Sequence, residues 1–180
     1  MKGSSPLFSN FSSGGSGGSC GSYSSSPLGE NSQPYQNEYS VYGKMMKKDI
    51  KHGVYKVDTG YSKNPTSQYL DSTINGNYIV DKHYNKQMPY VVTTDGRVII
   101  GSRNGNGRTS SKTPTPHPTL VGGTDPKVKM AGIVDIRGGK IYSYDNQSGH
   151  YRPNSKSMKW ADEAFKKYPK HKDFKGGIIL

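Results

Sequence analysis

Val, Ile, Tyr and Phe gather beyond residue 41 in short runs broken by Gly, Asn and Pro, the pattern of strands between turns rather than of long helices. Residues 90–94 (Tyr-Val-Val-Thr-Thr) and 97–100 (Arg-Val-Ile-Ile) flank Asp95-Gly96, a pair suited to the left-handed centre of a type I′ turn, and predict a hairpin. A second hairpin is predicted over 133–137 and 140–144, closed by Gly138-Gly139, with Ile136 directly opposite Ile141. Residues 54–57 and 78–80 read as further strands. The basic run 44–51 starts a helix that His52-Gly53 stops, and reads as a solvated face. After Pro153, Asn154 or Ser155 caps a helix whose Met158, Ala161, Ala164 and Phe165 recur on one face. It ends before Pro169, and Trp160 and Phe165 are expected to pack it onto the sheet. The tail to Leu180 is basic, then apolar, and adds an edge strand. The expected fold class is α+β: a small antiparallel, hairpin-rich sheet with one C-terminal helix.

Composition divides the chain in two. Residues 1–40 hold Gly and Ser runs such as Ser12-Ser13-Gly14-Gly15-Ser16-Gly17-Gly18-Ser19 and too little apolar surface for a core, so a disordered leader or linker is expected there and a small β-rich domain over 41–180. With 30% apolar residues in all, that domain is expected to be marginally stable. The one cysteine, Cys20, lies in the leader, which excludes an intramolecular disulfide and a Cys-based metal site. No apolar run is long enough to span a bilayer, so stable membrane insertion is not expected.

Charge narrows the partners. Twenty-five Lys and Arg against 13 Asp and Glu give a formal charge of +12, which attracts nucleic acid, acidic protein surfaces or anionic membranes alike. The same composition suits a cargo that must unfold to pass a narrow channel.

Two histidines stand in polar, turn-forming segments: Pro116-His117-Pro118-Thr119 and Ser148-Gly149-His150-Tyr151-Arg152-Pro153. Paired histidines can serve as general base and general acid without a metal, and Arg152 can neutralise phosphate charge. His117, His150, Tyr151 and Arg152 are therefore the candidate catalytic set. Thr119 and Ser148 add hydroxyls, Gly122-Gly123 permit close backbone approach, and Arg103 and Arg108, from the long loop 102–118, can contact a phosphate. These six form the candidate substrate-binding set. A purely structural role for His150 and Tyr151, bonded to backbone in a tight corner, is the competing reading. No His or Cys spacing matches a zinc site.

The ordered elements His117-Pro118-Thr119-Leu120-Val121-Gly122-Gly123, Ala131-Gly132-Ile133-Val134, Gly139-Lys140-Ile141 and Ser148-Gly149-His150-Tyr151-Arg152-Pro153 resemble a module at the C-terminal tips of bacterial polymorphic toxins, insecticidal toxin complexes among them. They are also similar to the central region of plant IQ-motif calmodulin-binding proteins. The resemblance covers about residues 90–165; this chain has no IQ motif, and Pro-His-Pro-Thr replaces the plant His-Ser-Ser. It implies a payload carried by a larger toxin or secretion apparatus and delivered into a target-cell cytoplasm, with a host protein or RNA as target and an immunity protein in the producer. Two activities follow as expectations. A ribonuclease would use the histidine pair on RNA; an ADP-ribosyltransferase would hold NAD, as substrate and not as cofactor, through His117 and Tyr151, with Glu163 orienting the acceptor. No cofactor is expected otherwise. The alternative class is a non-catalytic module binding an acidic host protein.

Overall fold

The computed structural model describes residues 32–103 and 115–180, an α+β body built on one six-stranded sheet. In chain order its elements are α1 (Gly43–Lys51), β1 (Tyr55–Lys56), β2 (Gly60–Tyr61), β3 (Gln68–Tyr69), β4 (Ile74–Asn75), β5 (Tyr78–Ile79), β6 (Lys86–Val92), β7 (Val98–Ile100), α2 (Pro118–Val121), β8 (Met130–Arg137), β9 (Lys140–Asp145), α3 (Met158–Phe165) and β10 (Gly176–Ile178). The large sheet runs β10-β9-β8-β6-β7-β3. It is antiparallel except at β10, the edge strand supplied by the C-terminal tail, which pairs parallel with β9. β1 with β2 and β4 with β5 form two short ribbons.

Both predicted hairpins form. β6 and β7 pair Tyr90 with Ile100 and Val92 with Val98, but their turn is not type I′. Of its residues only Gly96 has a positive φ, and the Thr93 carbonyl accepts the Gly96 N–H while Thr93 N–H reaches the Arg97 carbonyl. The loop is thus three residues long, a type I turn closed by a glycine bulge. That geometry spares Asp95 the left-handed region, which costs any residue with a Cβ. In the β8–β9 hairpin Gly138 and Gly139 both have positive φ, and Ile136 does stand opposite Ile141.

Beyond that pair the register slips by one residue: Ser143 faces Asp135 and Tyr144 faces Val134, leaving Tyr142 as the extra residue of a bulge. One inserted residue exchanges the two faces of everything that follows it. Tyr144 is thereby turned to the same side as Ile141, and Ser143 and Asp145 to the other.

Each face of the sheet carries a core. On one, Tyr90, Val134, Ile136, Ile141 and Tyr144 meet Met158, Ala161, Ala164 and Phe165 of α3. Phe165 stacks on Tyr144 with centroids 4.4 Å apart and meets Tyr90 edge-on at 5.0 Å, and burying its ring contributes about 2–3 kcal/mol. The Asn154 side chain caps the 3₁₀ turn leading into α3 by accepting the Lys156 N–H at 3.0 Å. Trp160 departs from expectation: it lies outside this core, only partly buried, beneath the ammonium groups of Lys129 and Lys159.

On the other face Val91, Ile99 and Ala131 lie under Tyr39, Val54, Leu120, Val128 and Tyr151. Tyr39 is fully buried, exchanges backbone hydrogen bonds with Val128, and shares a hydrogen bond with the Ser157 hydroxyl at 2.7 Å. The folded body therefore begins before residue 41, with 32–40 packed against it. The rest of the expected leader lies outside the described residues.

Candidate functional site

The two histidine segments come together at one corner, where the second core ends. Pro118 opens the single-turn α2, since its missing N–H is one that a helix start leaves unpaired anyway. His117, just ahead of it, points inward and is buried. Its Nε2 lies 2.8 Å from the Gly132 carbonyl and its Nδ1 3.1 Å from Ser148 Oγ. A carbonyl can only accept, so Nε2 carries the proton and Nδ1 accepts from the Ser148 hydroxyl, whose oxygen in turn accepts the Tyr151 N–H at 3.2 Å. Burial drives the His117 pKa down to about 4, against the partial support of the Gly132 carbonyl. The ring is neutral at pH 7, in one tautomer, with both nitrogens engaged.

His150, two residues past Ser148, turns the other way. Its Nε2 meets Asp49 Oδ2 at 3.0 Å, and the Tyr61 hydroxyl donates to the same oxygen at 2.5 Å. Asp49 is the buried residue of α1, so the basic run is more than a solvated face: its one acid points inward and ties α1 to the corner. Desolvation lowers the His150 pKa, and the Asp49 charge opposes it. The Tyr61 phenol is pushed far above its ordinary value, by burial first and then by Asp49. His150 helps to depress the His117 pKa, but the two rings belong to separate hydrogen-bond networks.

The other predicted residues mostly build this corner. Tyr151 is fully buried, and its hydroxyl donates to the Pro126 carbonyl. Thr119 donates to the Pro116 carbonyl at 2.7 Å, closing the turn before α2. Gly122 and Gly123 both have positive φ, and they pack against the 60–63 segment: Gly123 and Tyr61 exchange two hydrogen bonds, and a Cβ on Gly60 would lie 2.2 Å from the Gly123 carbonyl carbon. Arg152 is held at φ 44°, a left-handed conformation that a non-glycine residue adopts only where its surroundings enforce it. Its Nε donates to the Gly149 carbonyl, and its guanidinium lies 4.3 Å from the centre of the Tyr42 ring. Arg108 lies outside the described residues.

Arg103 leads to a feature the sequence did not flag. It lines a cavity of about 520 Å³ over the bulged half of the sheet, with Gln87 and Pro89 from β6, Ile133 and Asp135 from β8, Ser143 and Asp145 from β9, and Gln147. The volume suits a nucleotide-sized ligand. Asp145 is the anchored acid of this cavity. Its Oδ1 accepts the N–H groups of Ile133 at 2.8 Å and Gln147 at 2.9 Å, leaving Oδ2 without a partner among the described residues. Burial raises its pKa despite those two bonds. Asp135 is held by Arg137 at 3.0 Å. His117 is not part of the lining, but it bonds the carbonyl of Gly132, a residue packed tightly against Asp145, and Arg103 is close enough to depress its pKa. Glu163 is exposed on α3, across the sheet from this cavity. Among the described residues no cluster of three His, Cys, Asp or Glu side chains is placed to hold a metal ion. Searches of family models, curated proteins and solved structures return no match to this chain.

Proposed function

We propose that this chain is the payload domain of a toxin, acting inside a target cell as an enzyme on a nucleotide bound in the cavity over the bulged half of the sheet. The observation that carries the reading is the set of groups converging there. Arg103 is suited to a phosphate, the Asp145 carboxylate to ribose hydroxyls, and the amides of Gln87 and Gln147 to the edge of a base or carboxamide. The toxin context rests on the resemblance of the 117–123 and 148–153 elements.

Of the two chemistries, ADP-ribosyl transfer from NAD fits better than a histidine-pair ribonuclease, since His117 is neutral with both ring nitrogens bonded. In that transfer the bond between nicotinamide N1 and ribose C1′ breaks, nicotinamide leaves with the electron pair, and an acceptor oxygen or nitrogen bonds to C1′ and releases its proton. Asp145, anchored through Oδ1, would stabilise the positive charge that develops on the ribose.

Nicotinamide release from NAD by the purified protein, with and without a target-cell lysate as acceptor, tests the reaction. Asp145→Asn keeps the acceptor for the Ile133 and Gln147 N–H groups, so it should fold as the wild type does and lose roughly 100-fold or more in rate. An equal rate in that variant sinks the catalytic assignment. A non-catalytic binding module is the second reading, favoured by the saturation of His117. Growth arrest that persists unchanged in Asp145→Asn would select it.

A further inference from the structure

Cations and rings are interleaved at Arg152, Tyr42, Tyr35, Lys159, Trp160 and Lys129, none of which lines the cavity. The Arg152 guanidinium lies over Tyr42. The Gln33 N–H bonds to the Arg152 carbonyl and the Asn154 side chain to the Gln33 carbonyl, so the segment carrying Tyr35 is laid beside the approach to α3. There the Lys159 ammonium stands 5.1 Å from the Tyr35 ring and 5.1 Å from the Trp160 ring, and Lys129 covers Trp160 at 4.1 Å. Among the described residues none of Arg152, Lys129 and Lys159 pairs with a carboxylate. Tyr35 is 39% exposed, and Trp160 Nε1 is shielded from water with no hydrogen-bond partner among the described residues.

We propose that this interleaved set binds single-stranded nucleic acid, its cations taking phosphates and Tyr35 and Trp160 taking bases. An acidic protein would need the cations alone. What favours a nucleic acid is their interleaving with aromatic rings: a strand of bases offers a phosphate and a flat π-face at every step, so both halves of the pattern find partners. The lysines now lie against rings, an arrangement a phosphate can draw apart, freeing the ring for a base.

Trp160 is the only tryptophan and reports directly on its own surroundings. Its fluorescence in the full-length protein should be quenched saturably by an oligodeoxythymidine of about twelve nucleotides. With three or four phosphates engaged, the logarithm of affinity should fall against that of salt with a slope of about −2 to −3. Lys159→Gln, at an exposed position, and Lys129→Gln, at a half-buried one, should each reduce that slope by about 0.7 and weaken binding roughly five-fold at 0.1 M salt. A polyglutamate of matched charge should bind far more weakly. Absence of quenching, polyglutamate binding as tight as the oligonucleotide, or lysine variants that bind like the wild type would each overturn the proposal.

Discussion

Gly132 and Asp145 occupy each other's space: a Cβ on Gly132 would sit 1.9 Å from the Asp145 carbonyl oxygen and 2.9 Å from its carboxylate Oδ1. The close approach is used from both sides. Gly132 presents its carbonyl to His117, while the Asp145 carbonyl accepts the Tyr90 hydroxyl at 2.7 Å and its carboxylate closes the end of the β8–β9 pairing.

Gly132→Ala should therefore destabilise the protein by about 2 kcal/mol or more, because the neighbour that must move is backbone. For a domain of this size that lowers the Tm by roughly 5–10 °C. Gly149→Ala, where an added methyl meets nothing within 4 Å, serves as the control and should leave the melting curve in place.

His117 makes the fold sensitive to acid. Its folded pKa of about 4 lies below the ordinary 6.5, so between those values the unfolded chain binds a proton that the folded chain does not. Stability is then complete above pH 6.5 and falls as the pH drops toward 4, by about 3 kcal/mol from this group. His150, also depressed, acts in the same direction. Urea midpoints measured at pH 7 and pH 4.5 should show the loss, and His117→Phe should flatten the slope while starting from a lower stability, since it strands the Gly132 carbonyl.

Asp49→Asn isolates the second network. With the carboxylate gone, burial acts on His150 unopposed and its pKa should drop further, while the Tyr61 phenol should move back toward its ordinary value. Proton NMR titration of the His150 ring would show the change, and a rise instead would mean that the Asp49 carboxylate does not support the His150 proton.

The segment before residue 41 should prove essential to the fold. Tyr39→Phe removes a hydroxyl that serves both Ser157 and the Asn154 N–H, and should cost about 1–3 kcal/mol in chemical denaturation. Tyr39→Ala, which empties a fully buried site, should cost about 3–5 kcal/mol.

Much of the architecture was legible in the chain because it depends on neighbours in sequence. Gly138-Gly139 can both turn left-handed, and that pair placed Ile136 against Ile141. The 3.6-residue spacing of Met158, Ala161 and Phe165 identified the buried face of α3. The same local logic failed where a rule had two outcomes: Asp95-Gly96 fits either a type I′ turn or a bulged type I turn, and Trp160 lies near enough to the apolar stripe to pass for part of it. At the candidate site, sequence singled out two histidine segments that the fold brings together, and did not show what each ring would bond. Polar, turn-forming surroundings made His117 and His150 stand out, but their partners, Gly132 and Asp49, are 15 and 101 residues away and could not be read locally.

By itself the sequence determined two hairpins, a C-terminal amphipathic helix and a basic body. Tertiary structure alone decided which groups face a common space. Strict alternation along β9 would set Asp145 on the same side as Ile141, and the bulge at Tyr142 sends it to the opposite side, beside Arg103 and Gln147. A strand's own residues carry its period of two; whether one residue is skipped is settled by what packs on each face, and here the stacking of Tyr144 on Phe165 holds the slip that turns Asp145 into the cavity.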